Sequence, residues 1–284
     1  MQTQRTHALV ALHSAVLLFA LSGLFAKWLN MSATTIVFGR AFFCALTLAI
    51  VVRVFKRQSL KCSSTVLSAF VLTGGILAFH WVSFFQAIQV SSVAIGLITF
   101  ASFPIFVSIF EPLFFNEKFY SRTLWQALFT FVGIYLIVPT NNPETSNIYA
   151  GVLWGVASAL SFAILTLLNR KFVRGISVKQ VAFYQNSFAA LFVLPVMLMN
   201  PLTISMSQLS LIVLLGVVFT ALAHSLFNYS LKTIKAQTAA VAVSLEPIYG
   251  ILAAYWLLAE SLSMTMVIGG VIVLATNVWA ATNH

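Results

Sequence analysis

Ten apolar runs alternate with short polar connections along the chain. About 20 mostly apolar residues suffice for one helical crossing of a bilayer. The pattern predicts helices over Ala8–Leu29, Ala33–Arg53, Ser64–Gln89, Ser91–Phe115 and Ser121–Pro139, then over Ile148–Asn169, Val178–Met199, Ser207–Ser230, Ala236–Leu258 and Leu262–Ala281. Short connections make consecutive helices antiparallel neighbours. The longest connection ahead of the second five helices, 140–147, has turn chemistry and no basic residue, as expected of an external loop. It falls at the midpoint and divides the chain into 1–140, a connecting loop 141–147, and 148–284. The first apolar run is long enough to span and lacks a small-residue cleavage pattern, so it reads as a retained helix.

Charge orients this pattern. Thirteen of the fifteen Lys and Arg residues fall in connections that share one side: Arg5; Arg53, Lys56, Arg57 and Lys61; Lys118 and Arg122; Arg170, Lys171, Arg174 and Lys179; Lys232 and Lys235. Lys27 alone marks the other side, and Arg40 lies inside a span. The positive-inside rule then places both termini in the cytoplasm, in a membrane of the bacterial inner-membrane type. Only 7% of residues are charged and mean hydropathy is +1.00, against about 25% charged in a soluble domain. The net charge of +10 is split into small clusters that suit anionic lipid headgroups instead of nucleic acid. The bilayer is therefore an expected partner and nucleic acid is not.

Several chemistries drop out. Cys44 and Cys62 make neither a disulfide in this setting nor a metal site. The chain has no Asp, no HExxH, no paired carboxylates and no phosphate-cradling Gly loop, so no enzyme, cofactor, metal or ATP-driven pump is expected.

The two halves resemble each other. Pro104 precedes Glu117 by the same separation as Pro247 precedes Glu260. Phe103-Pro104-Ile105-Phe106 parallels Glu246-Pro247-Ile248-Tyr249, and His80-Trp81-Val82-Ser83-Phe84 answers His224-Ser225-Leu226-Phe227. Phe38 to Phe42 answers Phe183 to Ser187 in the same order. Five helices is an odd number, so the second half enters from the opposite side. The fold class is all-α and integral to the membrane, with ten transmembrane helices as two inverted five-helix repeats. Such repeats place a substrate site near the midplane.

Arg40 and the blocks Phe103-Pro104-Ile105 to Asn116-Glu117 and Leu245-Glu246-Pro247-Ile248-Tyr249 to Ala259-Glu260 carry a wider resemblance. The chain resembles the EamA branch of the drug/metabolite transporter superfamily over nearly its whole length. The resemblance implies a central cavity, alternating access, and export of amino acids or other metabolites, with the fourth and ninth helices near the centre. It departs from the family where Asn116 and Ala259 replace the usual Gly before the closing Glu.

Ionisable residues inside a span are functional candidates. At about 1.5 Å per residue, Arg40 and His80 sit roughly 10–13 Å below the outer boundary and Glu246 near the midplane. His224, His13 and Glu111 sit roughly 6–10 Å from the inner one. Glu246 is the leading site residue, as an amine ligand, a carrier of a coupling proton, or a protonated helix tie. His80 and His224 are proton shuttles, stacking groups or helix ties, with Asn228 one turn from His224. Arg40 recognises a substrate carboxylate or snorkels to helix-end carbonyls. Glu111 and His13 are gate candidates. Trp81, Phe84, Phe103 and Tyr249 are candidate apolar liners, with Thr99 and Ser161 as hydrogen-bonding ones. Gly151-x-x-x-Gly155 reads as close packing within one bundle, so a monomer is expected. The function expected is secondary transport of a small metabolite, export of amino acids or related compounds, with a proton as candidate coupling ion. Uptake or uniport of a vitamin-like or aromatic compound is the alternative, and a structural membrane protein the distant one.

Overall fold

Among the described residues serine caps start five helices, one of them where Ser263 Oγ accepts from Met266 N–H at 3.2 Å. Ser32, Ser63 and Ser92 accept from the backbone N–H groups of Thr35, Val66 and Ile95 at 3.3, 3.4 and 3.2 Å, which satisfies donors orphaned at a helix start. Ser205 and Gln208 form a reciprocal capping box, at 3.2 and 2.9 Å. The computed structural model describes residues 2–282 apart from 56–59, 61, 117, 118, 120, 138–144, 173–175, 200–203, 231, 232, 234–241 and 244. Glu117, most of the midpoint loop, the first residues of the ninth span and the basic residues Lys56, Arg57, Lys61, Lys118, Arg174, Lys232 and Lys235 lie outside the described residues.

The helices run in chain order as α1 (Gln2–Ser22), α2 (Phe25–Trp28), α3 (Ala33–Ile50), α4 (Ser64–Val90), α5 (Val93–Phe100), α6 (Phe103–Phe115) and α7 (Arg122–Ile137). The second half holds α8 (Thr145–Phe172), α9 (Val178–Leu198), α10 (Met206–Gly216), α11 (Ala223–Ser230), α12 (Glu246–Leu258) and α13 (Met264–Thr282). π-helical turns extend α3 over Val51–Phe55 and join α10 to α11 over Val217–Leu222. Among the described residues, seven helical spans are long and apolar enough to cross a membrane, and shorter apolar helices cover Arg122–Ile137 and Met264–Trp279. The protein is an all-α membrane protein built of two repeats.

Three spans that the hydrophobic pattern renders as single helices are interrupted. The first breaks at Gly23–Leu24, the fourth at Ala101–Ser102, and the eighth loosens into its π turn. The fourth breaks because Pro104 occupies the first turn of α6, where its missing N–H costs nothing. The carbonyls at the break have partners: Ser102 donates to Thr99 O from its N–H at 3.2 Å and its Oγ at 2.7 Å, and Asn277 Nδ2 donates to Ala101 O at 2.7 Å.

The repeat is visible in the backbone. α6 and α12 are both 13 residues long with Pro in the first turn. Each is preceded by a residue of nearly the same conformation, Ser102 (φ −74°, ψ −9°) and Leu245 (φ −83°, ψ −10°). Each ends on a left-handed residue, Asn116 and Ala259, both at φ 53°. The glycine that the resemblance leads one to expect is thus replaced at the position where glycine fits best.

The halves interlock. α4 packs on both α8 and α9, α3 on α9, α1 on α11 and α12, and α7 on α13. Gly151 and Gly155 let α8 close on the first half: a methyl at Gly155 would fall on Thr99, and one at Gly151 on Ser91. The Gly-x-x-x-Gly face is therefore consumed inside the bundle. The largest apolar cluster, with Phe25, Ile36, Phe85, Ile88, Leu97 and Leu215, fills the half away from the basic end. The end opposite the basic one is also tied by polar contacts. Both Glu260 carboxylate oxygens accept from Val93 N–H at 3.1 and 3.0 Å, and Lys27 Nζ donates to Ser91 O at 2.9 Å.

Candidate functional site

Arg40 sits in the middle of α3 and is 3% exposed. Its guanidinium lies 4.1 Å over the Trp81 ring and 5.5 Å from Phe85, both on α4. The aromatic faces supply the electron density that a buried cation seeks. Nε donates to Thr220 Oγ1 at 3.3 Å, and Thr220 Oγ1 donates in turn to Leu215 O at 2.8 Å. That last bond reaches back five residues, so the π turn is what aims Thr220 at Arg40. Gly216 brings this segment close enough, because a methyl there would meet Arg40 O at 3.0 Å. Among the described residues, nothing bonds the two terminal guanidinium nitrogens.

Glu246 opens α12 and is 9% exposed. The partial positive charge of a helix N-terminus favours a carboxylate there. Arg40 and Glu246 interact electrostatically, yet among the described residues no salt bridge joins them and no hydrogen bond reaches the carboxylate. His80 and His224 lie in electrostatic range of Arg40 and of each other. His224 stacks obliquely on Phe19 with centroids 4.9 Å apart.

His80 is 5% exposed and ties α4 to α8. Its Nδ1 lies 3.0 Å from Ser158 O and 2.8 Å from Ser158 Oγ, and Ser158 Oγ donates to His80 O at 3.1 Å. The imidazole also touches Phe162, Phe100 and Phe84, at 4.8, 5.2 and 6.5 Å between centroids. Phe103 closes the group, 5.4 Å from Phe100 and 5.1 Å from Phe162. These rings line the break between α5 and α6.

The structure thus gathers Arg40, Trp81, Glu246, His80, His224, Phe84 and Phe103 from the residues the sequence singles out. It places others elsewhere. Thr99 donates to its own helix at Ile95 O, 2.6 Å, and packs on Gly155. Ser161 donates to Ala157 O and Ser158 O at 2.8 and 2.9 Å, behind the His80 tie. Tyr249 packs with the cluster of Ala8, Leu12 and Val16. Glu111 pairs with Arg170, whose guanidinium also lies 4.0 Å over Phe115. His13 is exposed on α1. The Asn228 side chain lies outside the described residues. Phe85, Phe100, Ser158, Phe162 and Thr220 join the site without a signal in the sequence, being common residue types with no distinctive neighbours. No group of His, Cys, Asp or Glu able to hold a metal occurs among the described residues.

Comparison with known proteins agrees with this architecture. The model of the EamA-like transporter family matches twice, over residues 7–138 and 149–281. An S-adenosylmethionine uptake transporter of Rickettsia conorii is 27% identical over 245 residues, 86% of this chain and 81% of its own length. An uncharacterized transporter of Archaeoglobus fulgidus is 28% identical, covering 71% of this chain and 73% of its own. The uncharacterized transporter YxxF of Bacillus subtilis is 23% identical, covering 86% and 79%. A solved crystal structure shares the fold with a TM-score of 0.68 over 97% of both chains, at 18% identity.

Proposed function

This chain belongs to the EamA-like transporter family, and from that premise we propose that it takes up a small zwitterionic metabolite, with S-adenosylmethionine the first compound to test. The family and the relatives named above are transporters by name. The observation that carries the proposal is a buried base and a buried acid left apart. Arg40 and Glu246 are both buried and in electrostatic range, and neither closes on the other. Burying unpaired charges is costly. A ligand with a carboxylate for Arg40 and an ammonium or sulfonium for Glu246 would satisfy both at once.

Uptake, in place of the amino-acid export expected from the sequence, is supported by the Rickettsia relatives, whose named activity is uptake of a zwitterion. The rest of the reading follows the charge pattern: termini in the cytoplasm of a bacterial inner membrane, and the two units 1–140 and 148–284 rocking about the site. The break ahead of Pro104 and the turn at Leu245 ahead of Pro247 are the pivots. A monomer is supported by the glycine face spent within the bundle.

The test is uptake of labelled S-adenosylmethionine and a panel of amino acids into proteoliposomes, with and without a pH gradient. Saturable flux is expected, lost in Arg40→Gln and reduced in Glu246→Gln. Flux at the wild-type level in both variants sinks the zwitterion site. A response to the gradient identifies the proton as the coupling ion.

A further inference from the structure

The aromatic group around His80 is not explained by charge recognition, and its polarity is fixed. Ser158 O has no proton to give, so the 3.0 Å contact to His80 Nδ1 requires the proton to sit on that nitrogen. The Ser158 hydroxyl is committed as a donor to His80 O at 3.1 Å, so it too accepts from Nδ1 at 2.8 Å. A neutral imidazole protonated at Nδ1 presents a lone pair at Nε2. Among the described residues nothing donates to that lone pair, and Nε2 is not among the sealed unpartnered atoms, so the 5% of His80 that stays exposed leaves it within reach of a ligand. An acceptor inside the bundle that no protein group pairs, and that stays reachable, is free to take its donor from a ligand.

The ring neighbours of the imidazole are Phe84, Phe100 and Phe162. Phe100, Phe103 and Phe162 alternate between stacked and edge-on contact, with centroids 5.1–5.5 Å apart. All three are half-buried, although they lie in mid-span beside the break in the fourth helix. They give a wide apolar wall with no hydrogen-bonding group of its own. A flat ring stacks on such a wall, and only His80 Nε2 can read its edge.

We infer that Phe84, Phe100, Phe103, Phe162 and His80 form a ring subsite that selects a fused nitrogen heterocycle carrying an exocyclic amine, with Nε2 accepting from that amine. This inference rests on the zwitterion reading, since Arg40 and Glu246 hold the other end of the same molecule. The wall spans several rings, which favours a bicyclic base over a single six-membered ring. The fixed lone pair favours an amine over a bare ring edge. Ser158 acts here as a positioning residue: it sets the tautomer and does not touch the ligand.

The experiment is displacement of tritiated S-adenosylmethionine from the purified protein by S-adenosylhomocysteine and by its 6-desamino analogue, which keeps the purine and lacks the amine. In the wild type the desamino compound is expected to compete about tenfold less well, the worth of one net hydrogen bond. In His80→Phe the two compete equally. That variant leaves Ser158 O bonded to Ser161 Oγ at 2.9 Å, and the wild-type comparison stands even should the variant not fold. Equal competition in the wild type overturns the inference and leaves the zwitterion reading intact. Arg40-dependent flux of simple amino acids with no binding of any purine-bearing compound does the same. A preference that survives in His80→Phe removes His80 from the subsite. A protein that moves no zwitterion brings down both readings.

Discussion

Replacing Arg40 by Lys keeps the charge and changes only its shape, which makes it the sharpest test of the carboxylate site. The guanidinium is held flat, 4.1 Å over Trp81, with Nε anchored to Thr220 at 3.3 Å and both terminal nitrogens free to grip a carboxylate as a fork. A lysine ammonium is a compact point charge and cannot stack and fork together. Losing one of two charge-assisted hydrogen bonds costs about 1.5–3 kcal/mol, roughly 10- to 150-fold in Kd. The lost stacking on Trp81, about 1–2 kcal/mol, is shared by free and bound protein and lowers Tm more than affinity. The assay is a cycle over ligand and residue. Kd is measured for S-adenosylmethionine and for its decarboxylated analogue, in wild type and Arg40→Lys. The carboxylate-bearing ligand should lose at least tenfold and the decarboxylated one little. An equal loss for both refutes the argument, because Arg40 then acts through the fold and not through the carboxylate. No loss for either refutes it as well.

Two backbone predictions test the packing. Ala259 carries a side chain at φ 53°, so Ala259→Gly should raise stability by about 1 kcal/mol, read as a higher Tm in detergent; an unchanged or lower Tm would show that this residue bears no strain. Gly155→Ala drives a methyl into Thr99 and should cost about 1–3 kcal/mol. Adding Thr99→Ala should recover part of that loss, and no recovery would mean that the α5–α8 contact is looser than described.

The helices were legible in the sequence because a bilayer imposes one demand, long apolar runs, and the chain meets it with little ambiguity. The inverted repeat was legible because its marks, Pro104 with Glu117 and Pro247 with Glu260, are chemically distinctive. Interruptions were less so. Nothing local in Val217–Leu222 announces a π turn; it follows from Gly216 pressing on α3 and from Thr220 meeting Arg40. Among the site residues, Arg40, Glu246 and His80 stand out because charge and imidazole are rare inside a membrane. Phe100 and Phe162 do not, because the chain has 26 Phe and only the three-dimensional arrangement separates the ones beside His80. Thr99 misleads for the opposite reason: its hydroxyl looks available in sequence and is spent on its own helix.

The π turn between α10 and α11 holds more residues than an α-helical turn, and the surplus has a consequence for how this protein can change. Each residue of an α-helix advances the face by about 100°. Deleting a single residue from Val217–Leu222 would let the segment relax to ordinary α-helix while everything beyond it keeps its facing, because a π turn fits one extra residue into nearly the same rotation. The same deletion in the α-helical turns on either side would rotate α11 by about that angle and swing His224 away from Phe19. The π turn is thus a slot in which one residue can be gained or lost, and Thr220 aimed at Arg40 or away from it, while the packing of α10 on α3 and the facing of α11 stay undisturbed.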